Sequence, residues 1–174
     1  MTRQPTRRVL GVDPSTRSVA FAVLDGPDFL FDWGTKSTGK ADSARALQVI
    51  GALVERFQPQ ILAIEDCNAR GSRRCPRVRM LLDDLASIVP PSVTIQRISV
   101  RRLASASEKG HTQTKYQRAL DLAKRFPELQ PRLPRFRKPW MSEDVRVNVF
   151  DALGFALACF PPDTKVVDET TSAA

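Results

Sequence analysis

Histidine occurs once in the 174 residues, at His111, tyrosine once and cysteine three times, and no apolar run is long enough to span a bilayer. A structural zinc site would need His111 as its fourth ligand and paired cysteine spacings that the chain does not have. Cys67, Cys75 and Cys159 are too few and oddly numbered for a disulfide framework, and reduced thiols fit a cytoplasmic location. The opening "MTRQPTRRVLGVD" lacks the apolar core and cleavage site of a signal peptide, so the expectation is a cytoplasmic protein with no membrane partner. No internal repeat is present, and the length suits one domain rather than two catalytic lobes.

What the chain has in excess is positive charge. Lysine and arginine number 27 against 19 acids, a formal charge of +8 and a pI near 10.0. In a small domain that balance points to a polyanion, nucleic acid being the commonest. Apolar residues, at 42%, suffice for a core.

Hydrophobic patterning predicts three strands in succession, "RRVLGVD", "SVAFAVLD" and "DFLFDWGTKS", with a turn at "DGPD". From Ser43 the period changes, and Leu47, Ile50, Val54 and Phe57 fall on one face of a helix that Pro59 ends. The strand "QILAIED" follows. A helix then starts near Pro76 with Val78, Leu81, Leu82, Leu85 and Ile88 inward, and "SVTIQRIS" is the fifth strand. A further helix turns Tyr116, Ala119, Ala123 and Phe126 inward, and "PELQPRLPRFRKPW" reads as a basic, proline-rich loop. The last helix is expected from Ser142 through "EDVRVNVFDALGFALACF". A meander followed by alternating helices and strands gives an α/β fold, a mixed five-stranded sheet with helices on both faces, which is the ribonuclease H-like arrangement. The domain is placed at 1–160 and a disordered tail at 161–174.

Three carboxylates stand at the ends of, or within, apolar elements: Asp13 after "VLGV", Glu65 after "ILAI" and Asp151 in "VNVFDALGFALA". Burying isolated acids there is costly unless they are paired, protonated or bound to metal. If the first and fourth strands are parallel neighbours, Asp13 and Glu65 share the carboxyl end of the sheet, where open α/β sheets bind ligands. Asp144, Asn148 and Asp151 are spaced i, i+4, i+7 and would share a helical face. Gathered carboxylates repel one another, and hard divalent cations relieve that repulsion. Mg²⁺ is the usual one, and two such ions about 3.5–4 Å apart cleave phosphodiesters. Taken singly, Asp13 also suits a turn before proline, Glu65 a loop cap, and Asp144 the positive end of a helix.

In the order "GVDPSTRSVAFAVLD", "ILAIED", "GHTQTKYQRAL" and "NVFDALGFALA", across nearly the whole chain, the sequence resembles a RuvC-type Holliday-junction resolvase. That resemblance implies a ribonuclease H-like fold, a homodimer, two Mg²⁺ ions with Mn²⁺ able to substitute, and paired nicks in four-way DNA junctions. On the matching positions, Asp13, Glu65 and Asp151 are its three metal-binding acids, and Lys115 in "TKYQ" its basic residue near the scissile phosphate. One ion would be held by Asp13 and the last helix and the other by Asp13 and Glu65, for hydrolysis that leaves 5′-phosphate ends.

Two departures stand out. The family's fourth ligand, Asp or His one turn before the last acid, is Asn148 here, so either Asn148 ligates as a neutral donor or Asp144 takes over. The family commonly carries an aromatic in the loop after the fourth strand, whereas "EDCNARGSRRCPRVR" offers Arg70, Arg73, Arg74, Arg77 and Arg79, residues that would bind phosphates without reading sequence. Arg135, Arg137 and Lys138 would extend that basic surface, with Phe136 or Trp140 placed to stack on a base.

Two rivals keep the fold: a nuclease acting on RNA, and a non-catalytic nucleic-acid-binding module. A third, the actin-like sugar kinases, also opens on a strand, Asp, turn and strand, but those enzymes need two lobes. A helicase partner is not legible in the sequence.

Overall fold

A computed structural model describes residues 7–39, 42–105, 114–135 and 144–161. Phe136, Arg137, Lys138, Trp140, Ser142, His111 and the tail beyond Pro161 lie outside the described residues.

The first three strands, β1 (Arg8–Pro14), β2 (Ser18–Asp25) and β3 (Leu30–Ser37), form the expected antiparallel meander. Ser15 closes the first turn, its N–H donating to the Ser18 carbonyl at 2.8 Å, and Gly26 takes the second at φ 85°. Helix α1 (Ser43–Phe57) follows. Asp42 caps it by accepting from the N–H groups of Ala44 and Arg45, and it ends where Gln58 turns left-handed at φ 47° ahead of Pro59. The α1 crossover delivers β4 (Ile61–Glu65) alongside β1 in parallel, and α2 (Pro76–Ile88) delivers β5 (Thr94–Ile98) alongside β4 in the same sense. The sheet order is β3-β2-β1-β4-β5, mixed and five-stranded as expected.

Strand alternation divides the core in two. Leu10, Val12, Leu62 and Ile64 face α1 and α2, while Val9, Ile61 and Ala63 face the last helices. Ile88, expected on the inner face of α2, is instead exposed.

Past β5 the chain forms a short helix, α3 (Val100–Ser105), which the sequence pattern does not announce. Helix α4 (Lys115–Arg125) opens on a capping box between Thr114 and Gln117, and a 3₁₀ turn occupies Pro127–Arg132 in the stretch read as loop. Helix α5 (Val147–Leu157) begins later than expected. Asp144 bends the entry into a turn: its carbonyl accepts the N–H of Val147, and its carboxylate accepts that of Arg146, both at 3.0 Å. Seated on β1, α5 comes so close that a β-carbon at Gly11 would collide with the carbonyl oxygen of Ala152. Among the described residues no helix is long and apolar enough to cross a membrane.

Candidate active site

The register of β1 with β4 pairs Val9 with Ile61 and Gly11 with Ala63. Two residues on, period-two alternation places Asp13 beside Glu65, both on the face covered by α5. Asp151, one residue before the Ala152 carbonyl that touches β1, hangs from α5 over the same strand ends. All three acids are buried, Asp13 to 1% exposure. Their charges act on one another: burial pushes the Asp13 carboxyl up to about 7, Arg74 and Lys115 pull it down, and Asp151 and Glu65 push it further up.

Each acid meets a cation. Arg74 reaches back from the loop after β4 and spreads its guanidinium across two of them, Nη2 donating to Asp13 Oδ1 and Nε to Glu65 Oε2, while Nη1 donates to the Pro14 carbonyl at 3.3 Å. The loop is shaped for this. Asp66 N–H donates to the Ile98 carbonyl at 2.8 Å, its carboxylate turns the chain by accepting from Asn68 N–H at 3.0 Å, and Gly71 sits at φ 97°. Arg79 then holds the Arg74 carbonyl at 3.1 Å. Asp151 is met from α4, by Lys115 Nζ at 3.2 Å and by Arg118 Nη2 at 3.1 Å.

Sequence reasoning grouped Arg74 with the phosphate binders, and the fold instead turns it inward onto the acids. Arg118 was missed altogether, although its i, i+3 spacing from Lys115 puts both on one face of α4. Asp144 lies before α5, outside the regular helix on which the i, i+4, i+7 relation rests, and Arg146 and the Arg135 backbone keep its carboxyl below its ordinary range despite some burial. Asn148 stands half-buried in the first turn of α5, one turn before Asp151. Arg70, Arg73 and Arg135 are exposed, whereas Arg77 donates to Ser43 Oγ at 3.1 Å, linking α2 to the start of α1.

The donor chemistry, carboxylate oxygens at the end of a sheet, fits a hard divalent cation. Oδ2 of Asp13 is buried without a hydrogen-bond partner, the kind of atom a cation would satisfy. As the side chains stand, no three Asp, Glu, His or Cys among the described residues are grouped closely enough to hold an ion, and Arg74 lies against two of the acids.

No protein-family model matches the sequence, and no curated protein does. Solved structures match at low identity. RuvC of Thermus thermophilus superposes with a TM-score of 0.62 at 17% identity, covering 87% of this chain and 92% of its own. The T. thermophilus RuvC in complex with Holliday junction substrate gives 0.58 at 16%, covering 87% and 91%. Ydc2, the yeast mitochondrial Holliday junction resolvase, gives 0.56 at 16%, covering 88% and 79%. With the sheet order 3-2-1-4-5, these matches show that the chain has the ribonuclease H-like fold of the resolvases RuvC and Ydc2 over most of its length.

Proposed function

We propose that this protein is a divalent-metal-dependent endonuclease that nicks four-way DNA junctions, with Asp13, Glu65 and Asp151 as its metal-holding acids. The observation that carries the reading is the convergence of these three buried carboxylates from β1, β4 and α5 at the carboxyl ends of parallel strands, in a resolvase-like fold bearing a net charge of +8.

A cation there supplies Lewis-acid polarisation of the phosphodiester and activation of water. The remaining work belongs to the chain. Lys115 and Arg118, which meet Asp151 from one face of α4, would offset charge on the non-bridging oxygens once Asp151 is otherwise engaged. Arg70 and Arg73, exposed on the loop after β4, would take flanking phosphates. Asn148 is the residue of α5 nearest in position to the family's fourth ligand, while Asp144 serves the entry turn. A homodimer belongs to this reading, since paired nicks need two sites.

The test is Mg²⁺-dependent cleavage of a synthetic four-way junction with mapped ends, beside linear duplex and structured RNA. The parent is expected to nick the junction and leave 5′-phosphates, and Asp13→Asn to lose at least about 10²-fold in rate while still binding. Parental cutting by Asp13→Asn would sink the assignment, and preference for RNA would transfer the site to the ribonuclease reading. The grip of Arg74 on both strand acids favours a second reading, a nucleic-acid-binding module that kept the fold without the chemistry. Calorimetry showing no metal uptake, together with unchanged junction affinity in Asp13→Asn, would select it.

A further inference from the structure

Around the three acids the ion pairs of the described residues balance. Asp13, Glu65 and Asp151 carry up to three negative charges, and Arg74, Lys115 and Arg118 face them with three positive ones. A divalent cation added to that arrangement would overfill it unless a cation left and an anion joined. The cation standing where a metal would bind is identifiable. Arg118, 12% exposed, and Lys115, 44% exposed, both meet Asp151 from α4, whereas Arg74, 21% exposed, reaches from a loop to lie between Asp13 and Glu65 and has exposed Arg73 and Arg70 beside it.

We infer that Arg74 is an internal counter-ion standing in the cation's place between Asp13 and Glu65, and that it is exchanged for a divalent cation as its guanidinium passes to a phosphate of the incoming nucleic acid. The inference rests on the metal-holding role proposed for those acids. An arginine fork can bond carboxylate or phosphate oxygens, so the exchange replaces one set of acceptors by another, and a further phosphate facing the divalent cation takes up the one positive charge that the exchange adds. Metal and nucleic acid then bind cooperatively, and by linkage each tightens the other. Without nucleic acid the acids stay neutralised and the cation is held weakly.

The test is Mn²⁺ binding by calorimetry at pH 8, with no turnover in the readout, for the parent, Arg74→Gln, Arg74→Lys and Asp13→Asn. Each is measured alone and with a nicked duplex, the product of junction cleavage, whose strands are checked afterwards for further cutting so that no turnover enters the heat. The parent alone is expected to bind Mn²⁺ about tenfold more weakly than Arg74→Gln, and the duplex to tighten the parent about tenfold but Arg74→Gln far less. The melting temperature of Arg74→Gln should fall without metal, because two buried acids lose their partner, and should rise more on adding Mn²⁺ than that of the parent. If Arg74→Gln does not fold, Arg74→Lys keeps the charge, cannot span both carboxylates, and is expected to bind Mn²⁺ more tightly than the parent. Equal affinity in the parent and the Arg74 variants, with loss in Asp13→Asn, overturns the exchange and leaves the metal site standing. Absence of Mn²⁺ binding in every protein, with or without duplex, overturns both.

Discussion

Asp13 occupies a demanding position: the side chain is almost fully enclosed, one of its oxygens has no hydrogen-bond partner among the described residues, and its carboxyl is pushed up to about 7 by burial. A carboxyl raised in the folded state binds its proton more tightly there than in the unfolded chain, where it titrates near 3.8. Its stabilising contribution is therefore complete below about pH 4 and is lost as pH rises through about 7. In metal-free buffer the parent should lose stability across that window by at most about 1.4 kcal/mol per pH unit from this group. Asp13→Asn should lack this component, so that its denaturation midpoint overtakes that of the parent above pH 7. Parallel profiles for the two proteins would show that Asp13 does not titrate differently on folding.

At the scale of elements, the site depends on how closely α5 sits on β1. Gly11 permits that approach, and Gly11→Ala sets a methyl group against the backbone of Ala152 and the side chain of Ala156. The helix must move, costing about 1–3 kcal/mol of stability and lifting Asp151 away from Asp13. Chemical denaturation reads the first effect and the Mn²⁺ titration the second; an unchanged midpoint would mean that α5 is not held where the structure puts it. The strands around this contact were legible in sequence, because β1, β2 and β4 are apolar runs closed by Asp, Gly and Pro. Helix α3 was not, since six residues reading "VRRLAS" span too few turns to display a period. The start of α5 was misplaced for a related reason: Asp144 looks like part of a periodic helical face, and only the fold shows it spent on the backbone of Arg146. Arg74 was legible as a basic loop residue but not as a partner of the acids, because the sequence does not show which way a loop folds back.

For the molecule as a whole, an acidic site sits within a chain of net charge +8, so nucleic-acid affinity should be dominated by released counterions. Junction affinity is expected to fall linearly with salt on logarithmic axes. Replacing Arg70 and Arg73 together by Ala should flatten that slope by about 2, one for each lost phosphate contact. A slope unchanged in the double variant would place the DNA elsewhere on the surface. The nucleic-acid path proposed for this chain runs across the carboxyl ends of β1 and β4, where the loop bearing Arg70 and Arg73 leaves the sheet.

The parallel pairing of β1 with β4 also governs when the three acids meet. Parallel neighbours need a crossover, here through α1, so Asp13 gains Glu65 only after a long loop has closed, and Asp151 joins only when the helix near the end of the described chain has docked. Any fragment that stops short of α5 holds two of the acids at most, and a growing chain holds no complete set until α5 has been synthesised.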